Sequence, residues 1–203
     1  MPFPTTNAQT ELQAVNEILA SVGQAPVTTL DQTNPDVAIA YDTLTQVSRE
    51  VQAEGWTFNK EYEYPFTPDT NNEIIIPNNV LQLDLTPDYK DQDTVRRNGK
   101  LYDRTNHTFT WTDDEVLCDV VWYFDWVDLP IPIKDYIVAR AATITSSRIV
   151  GDSTQYQMLQ QREAYCRAMA LEYECNEGSY TFFGHPRGGN YYTSYEPYKA
   201  LYR

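Results

Sequence analysis

The hydrophobic period of this chain changes twice, and this constrains the fold more than any other feature. Up to residue 55 the apolar residues recur with the 3.6-residue period of a helix, and from Trp56 to Leu129 they form short alternating runs typical of strands. The helical period returns after Pro130. The sequence therefore predicts an α+β protein, a discontinuous helical bundle of four main helices with an inserted antiparallel β domain. We place the bundle domain at residues 1–55 and 131–177, the β domain at 56–130 and a Tyr-rich C-terminal tail at 178–203.

Local signals predict where the first two helices begin. Thr10 and Gln13 have the spacing of a capping box, and Gly23 follows the first apolar run as a C-terminal cap. Asn34 followed by Pro35 predicts the start of the second helix, because asparagine accepts an orphan backbone N–H and proline has none to satisfy.

The last predicted helix starts at Asp152 and has an apolar face interrupted by one arginine. This face is formed by Leu159, Arg162, Cys166, Met169 and Tyr173. Cys166 and Cys175 lie nine residues apart in this helix and face different directions, so they cannot form a disulfide. We expect all three cysteines to be buried and reduced.

The strongest turn signal in the β domain is Asn98-Gly99, because a type I′ turn requires positive φ at both central residues. It predicts a hairpin between residues 95–97 and 100–102. We expect strands at 108–112 and 116–124 to extend this hairpin into a meander, and residues 74–77, which end in proline, to form an edge strand or strand start.

Charge excludes a protein whose task is to hold duplex DNA. The chain has 15 Lys+Arg and 29 Asp+Glu, a net charge of −14, whereas DNA affinity comes largely from clustered basic side chains. Residues 56–130 hold 15 acids and 6 bases, so the predicted β domain is the more acidic part. The longest apolar stretch, 116–133, contains three aspartates and two prolines, and the N-terminus has no apolar run. We therefore expect neither a membrane anchor nor a secretory signal.

Motifs of catalysis are not found in the sequence. It has no phosphate loop, dinucleotide fingerprint, zinc-ligand spacing or nucleophile elbow. His107 and His185 are both predicted in loops, as is the acidic stretch at 88–93, and Asp113-Asp114-Glu115 reads as a solvated turn. We predict no catalytic, metal-binding or cofactor-binding residues. Paired carboxylates of a glycan hydrolase are the remaining enzymatic alternative.

Two groups of residues are candidates for contacts with other molecules. The hairpin carries a basic cluster of Arg96, Arg97 and Lys100, with Arg104 nearby. These cations either form local salt bridges or, in a closed ring, line up as a basic band facing a channel. The tail has no regular period but is rich in aromatic side chains, which suit contact with a partner or packing on their own domain. Its candidate contact residues are Tyr191, Tyr192, Tyr195, Tyr198 and Tyr202.

Four segments together resemble the tail tubular protein A family of short-tailed bacteriophages. In chain order they are AVNEIL with GQAPV (residues 14–27), SREVQAEGWTFN (48–59), RNGKLYD (97–103), and LP at 129–130 leading to YIVARAA (136–142). Each segment alone is weakly specific, and their order is the stronger signal. The resemblance extends over residues 11–177 and does not reach the tyrosines of the tail.

The resemblance implies a virion structural protein of the tail, assembled in the host cytoplasm, with no catalytic residues. Such a protein is the adaptor, or gatekeeper, of the head-to-tail connector: a homo-oligomeric, dodecameric ring that joins the portal protein to a nozzle of the tail tubular protein B type. Tail fibres are further expected partners, and DNA passes through the ring without sequence-specific binding. An acidic wall suits such a conduit because it repels phosphates. The alternatives are the glycan hydrolase and a freestanding regulatory binding module.

Overall fold

The structure, a computed structural model, describes residues 9–86, 89 and 92–178. Within these residues the chain forms four α-helices, five β-strands and a short 3₁₀ turn at Trp126–Asp128, so the predicted α+β class is confirmed. The helices are α1 (Glu11–Ser21), α2 (Pro35–Gln52), α3 (Ile131–Ile149) and α4 (Ser153–Glu177). The strands are β1 (Lys60–Phe66), β2 (Val80–Leu85), β3 (Thr94–Arg97), β4 (Lys100–Asp103) and β5 (Val116–Trp122).

The contacts divide the chain into two compact units. The helical unit consists of the described residues of Met1–Glu54 and Phe124–Glu174, and the β unit consists of those of Gly55–Tyr123 and Cys175–Arg203. The helical unit is therefore discontinuous in sequence. Our three-domain division, with limits at residues 55, 130 and 177, stays a prediction.

Both predicted N-terminal caps form. The Thr10 hydroxyl accepts the Gln13 N–H at 3.3 Å, and the Gln13 side chain accepts the Thr10 N–H at 2.8 Å, which completes a capping box. The Asn34 side chain accepts the N–H of Asp36 at 3.1 Å, with Pro35 in the first turn. These contacts connect neighbouring residues, which is why sequence spacing is sufficient to predict them.

The core of the helical unit lies between α1, α2 and α3. Burying one aliphatic side chain fully contributes about 1.5–3 kcal/mol, so this core is the main stabilising element of the unit. Its side chains, less than 2% exposed, include Val15, Ile18, Val37, Val47, Val51, Ile133, Tyr136 and Ile137.

A buried glutamine joins the two places where the chain leaves and rejoins the helical unit. The Gln52 side chain, at the end of α2, donates to the Phe124 carbonyl at 3.1 Å and accepts the Phe124 N–H at 2.8 Å. It therefore bonds to the backbone of residue 124 as a neighbouring strand would.

The β unit contains two separate sheets. One is antiparallel with the strand order β1-β5-β2, and the other is the hairpin of β3 and β4. The predicted hairpin is confirmed: Arg97 pairs with Lys100, and the turn residues Asn98 and Gly99 have φ values of 52° and 72°.

The predicted meander is wrong. β5 pairs with β1 and β2 rather than with the hairpin, and residues 108–112 make isolated bridges instead of a regular strand. Val116, Cys118 and Val120 of β5 are buried, as expected for a strand in the centre of a sheet. The position of β5 in the sequence, next to the hairpin, does not indicate which strands it pairs with. Residues 74–77 lie beside β4 through an Ile75–Lys100 bridge but form no regular strand.

Two further expectations are corrected in α4. Only Cys166 and Ala170 are buried in this helix, whereas Arg162 and Met169, predicted on the packed face, are exposed. Cys175 is also exposed, although Cys118 and Cys166 are buried as expected. Helical spacing predicts which residues share a stripe, but it cannot predict whether the same chain covers that stripe.

Candidate functional site

Helix α4 combines the greatest length of the described helices with very little burial. Its 25 residues span about 37 Å. Five large side chains on it are exposed: Met158 at 62%, Tyr165 at 60%, Leu171 at 46%, Met169 at 42% and Tyr156 at 37%. A helix that buries so little must obtain stability elsewhere, because isolated helices are marginal in water.

Three of the exposed side chains form one stripe along the helix. At 100° per residue, Met158, Tyr165 and Met169 lie within about 40° of one another around the helix axis. The buried pair, Cys166 and Ala170, lies roughly 100° away from the centre of that stripe. We call Met158, Tyr165 and Met169 the outer stripe; it faces away from the contacts that α4 makes within its own unit.

Polar contacts attach α4 to the rest of the helical unit. The Arg167 guanidinium donates to the Tyr136 hydroxyl at 3.2 Å, lies 5.8 Å from the Tyr136 ring centre and is 3.9 Å from the Glu54 carboxylate. Near the start of the helix, the Gln155 amide donates to the Ser21 carbonyl. Few apolar contacts supplement these bonds, since Cys166 and Ala170 are the buried residues of α4.

Arg140 on α3 completes the same network. Its guanidinium contacts Glu50 at 3.2 Å, Glu54 at 3.5 Å and the Tyr136 hydroxyl at 3.3 Å. Burial lowers the pKa of Arg140, but the Tyr136 hydroxyl and the two glutamates outweigh this, so the net pKa is raised and the charge is retained. We call Glu50, Glu54, Tyr136, Arg140 and Arg167 the Tyr136 clamp. It connects α2, α3 and α4.

A cleft of about 610 Å³ opens between α3 and α4. Arg140, Arg148 and Arg167 line it together with Tyr156 and Glu163. Two of the three arginines are already paired with Glu50 of α2 or with Glu54 just after it, so the cleft has little net charge to offer a ligand. Its lining includes neither histidine nor cysteine.

The basic hairpin is partly neutralised within the β unit. Lys100 forms an ion pair with Glu73 at 2.5 Å, and the Arg97 guanidinium stacks over Tyr102 at 4.3 Å. Arg96 donates to the Asn78 side chain at 2.9 Å. The strand register places Arg97 and Lys100 on one face and Arg96 on the other. The three cations therefore do not form a single band within one subunit.

Residues that sequence analysis considered for catalysis do not converge. Asp113, Asp114 and Glu115 are exposed in a turn, and His107 is exposed with φ of 55°. Burial, followed by the charges of Asp119 and Asp84, raises the pKa of the Cys118 thiol to about 12, so it is not a nucleophile.

The described part of the chain contains no candidate metal site and no helix that could span a membrane. No group of three His, Cys, Asp or Glu side chains there could hold a metal ion. Among the helices of the described residues, none is both long enough and apolar enough to cross a membrane. His185 and the tail tyrosines Tyr191, Tyr192, Tyr195, Tyr198 and Tyr202 lie outside the described residues.

The Tyr136 clamp and the outer stripe are the features that sequence analysis missed. The Arg140–Glu50 contact joins residues 90 positions apart, and no local pattern marks such a pair. The stripe was present in the sequence as residues at i, i+7 and i+11, but the predicted apolar face was centred about 60° away from it around the helix axis.

Large apolar side chains left exposed on a long helix are typical of the class of assembly components. The comparison with known families specifies this class. The family model described as "Tail tubular protein" matches residues 12–180, so the chain belongs to the tail tubular protein family. It is also similar to the protein named Tail tubular protein A of Klebsiella phage KP34, with 27% identity over 172 residues, covering 82% of this chain and 88% of that protein.

Membership of this family gives the chain a structural role in the tail of a phage virion. It also makes the chain a tail assembly component that oligomerises. The uncovered outer stripe agrees with such a role, because surfaces of this kind mark contacts with other protein molecules.

Proposed function

We propose that this chain is the adaptor, or gatekeeper, subunit of the phage head-to-tail connector. In this role, a dodecameric ring of the chain joins the portal protein to the tail nozzle and encloses the channel through which DNA is ejected. Tail fibres dock on the ring, and assembly takes place in the host cytoplasm. The family match over residues 12–180 is the observation that carries this proposal.

The exposure of α4 supports the ring. A subunit that functions alone gains nothing from leaving Met158, Tyr165 and Met169 in water, whereas a ring subunit covers such side chains when the ring closes. Closed rotational symmetry also repeats each subunit's charge around the axis. The net charge of −14 per chain would then give a wall that repels DNA and lets it slide.

Electron microscopy of the full-length protein mixed with its portal tests this function. We expect a ring of adaptor subunits on one side of the portal, with a central channel and a free side that binds the nozzle. A protein that stays monomeric beside intact portal rings would overturn the proposal. The same images report the number of subunits in the ring, which the proposal expects to match a dodecamer.

The tail is proposed as the contact with the portal or with the neighbouring subunit. Five tyrosines, each with a large apolar ring and one polar group, suit insertion into pockets of another protein. They are Tyr191, Tyr192, Tyr195, Tyr198 and Tyr202. Truncation after Gly178 should abolish assembly on the portal without unfolding the helical unit. Normal assembly of the truncated protein would refute this contact.

The basic hairpin is proposed to face the channel. Lys100 pairs with Glu73, whereas Arg96 and Arg97 have no carboxylate partner among the described residues, so the two arginines leave the most charge available. Arg97→Glu should leave ring assembly unchanged and speed DNA ejection, because it removes an attraction for phosphates at every subunit. Loss of the ring in this variant would place Arg97 in a subunit contact instead.

A further inference from the structure

We infer that the outer stripe of α4 docks on the N-terminal half of α2 of a second copy of this chain. The inference rests on the proposed ring and specifies which two surfaces meet in it. The α2 surface consists of Asp36, Ile39 and Asp42, which we call the α2 face.

The α4 surface is apolar with one cation at its edge. Met158, Tyr165 and Met169 form its centre, and Arg162 lies about 40° from Met158 around the helix. Arg162 is exposed and makes no ion pair with any other described residue. The surface therefore offers three uncovered apolar side chains and one unpaired positive charge.

The α2 face has the opposite character. Ile39 is 41% exposed, which is unusual for isoleucine, and it is flanked at i−3 and i+3 by Asp36 and Asp42. Neither aspartate forms an ion pair with another of the described residues. An apolar side chain between two acids is complementary to the apolar stripe beside Arg162.

Charge selects this region of α4 for a contact between copies. The whole chain carries −14, so two copies repel each other over most of their surfaces. Among the charged residues of 153–171, Arg162 alone lies beside the outer stripe, whereas Glu163 and Arg167 lie on the cleft side. An acidic face of another copy is therefore attracted here, where two average surfaces would repel.

The geometry makes this contact heterologous. Tyr156, Glu163 and Arg167 line the cleft and lie on the side of α4 opposite the outer stripe. Arg148 contacts Thr43 of α2 from α3, so α2 packs on α3 within its own subunit. Two different helices supply the two surfaces, and contacts between unlike surfaces generate rings when the rotation closes.

Charge reversal with rescue tests the pairing. The full-length wild type, Arg162→Asp, Asp42→Arg and the double variant carrying both changes would be compared by sedimentation velocity alone, and by native mass spectrometry with the portal. Each single reversal should raise the concentration for half-maximal assembly roughly tenfold, because it places like charges together. The double variant restores an opposite pair in every interface and should return close to the wild-type value. Glu177→Lys, near the end of α4, changes the net charge as much as Asp42→Arg does and should have little effect.

The outcomes separate this inference from the proposed function. Single reversals that assemble like the wild type, or a double variant that is no better than the singles, would overturn the pairing while the ring on the portal stands. Reversals that weaken portal binding with no change in contacts between copies would identify the portal as the occupant and also overturn it. Rescue in self-assembly by a protein that ignores the portal would support the pairing and refute the adaptor function. A wild type that stays monomeric in both assays would refute both.

Discussion

Replacing Tyr136 with phenylalanine should loosen α4 while the core of α1, α2 and α3 stays intact. Tyr136 is fully buried, and its ring is retained by the substitution. What is lost is the hydroxyl that accepts from Arg140 at 3.3 Å and from Arg167 at 3.2 Å. The Arg140 bond lies within α3, whereas the Arg167 bond connects α4 to α3. Because α4 buries only two residues, the Arg167 bond forms a large share of its attachment.

The size of the effect follows from the geometry. A hydrogen bond to a charged group contributes about 1.5–3 kcal/mol when it is short and buried. The Arg167 bond is longer than the usual value, and Arg167 is half-exposed and keeps Glu54 as a partner, so this bond is expected to contribute about 1 kcal/mol to the attachment of α4. Such a loss raises the population of open α4 roughly 5-fold.

Amide hydrogen exchange of the full-length protein measures this opening. Peptides from α4 should exchange faster by the stated factor, and peptides from α1 and the middle of α3 should not change. Tyr165→Phe is the matched control, because the Tyr165 side chain is 60% exposed and outside the clamp. Unchanged exchange in α4, or an equal increase in all helices, would show that the clamp does not hold α4.

Three smaller perturbations test other parts of the fold by urea unfolding. Burial lowers the pKa of Lys134, although the charge of Asp128 partly offsets this effect. Wild-type stability should therefore rise as pH increases toward 10.5, the ordinary pKa of lysine. Lys134→Met should abolish that rise and leave stability at pH 7 equal or about 1 kcal/mol higher. Burial raises the pKa of Asp103, but hydrogen bonds from Asn106 and Thr105 lower it by a larger amount, so the net pKa is lowered. The contribution of Asp103 to the free energy of unfolding is therefore present above pH 3.8 and is lost as pH falls through the lowered pKa. Asp103→Asn should accordingly cost about 1–2 kcal/mol at pH 7, with a difference from wild type that narrows in acid. Asn98→Ala should cost about 1 kcal/mol, because φ of 52° disfavours alanine. A cost near zero at pH 7 for Asp103→Asn or Asn98→Ala, or a pH-dependent rise of stability that persists in Lys134→Met, would contradict the assigned contact.

Features that depend on neighbouring residues could be predicted from the sequence. The capping box of Thr10 and Gln13, the cap at Asn34 and the Asn98-Gly99 turn each need residues no more than three positions apart. Their physics is local, so their spacing in the sequence is the signal.

Features that depend on distant residues could not be predicted. β5 takes two partners, β1 and β2, that lie far from it in sequence, and the hairpin next to it in the chain is not one of them. The Tyr136 clamp likewise joins three helices. The outer stripe of α4 was misassigned for another reason: helical periodicity reports amphipathicity, and it does not distinguish a face that packs within a chain from one that packs between chains.

The amide of Gln52 has a consequence for how this protein is made on the ribosome. Its partner, Phe124, emerges 72 residues later, and α1 packs on α3, whose Ala142 carbonyl accepts from Ser21 across 121 positions. The nascent helices α1 and α2 therefore lack α3, which completes their core, until the strands that follow them have been synthesised. All five strands have been translated by Trp122, before α3 begins. Synthesis from the N-terminus thus lets the strands of the β unit pair first and the helical unit close last.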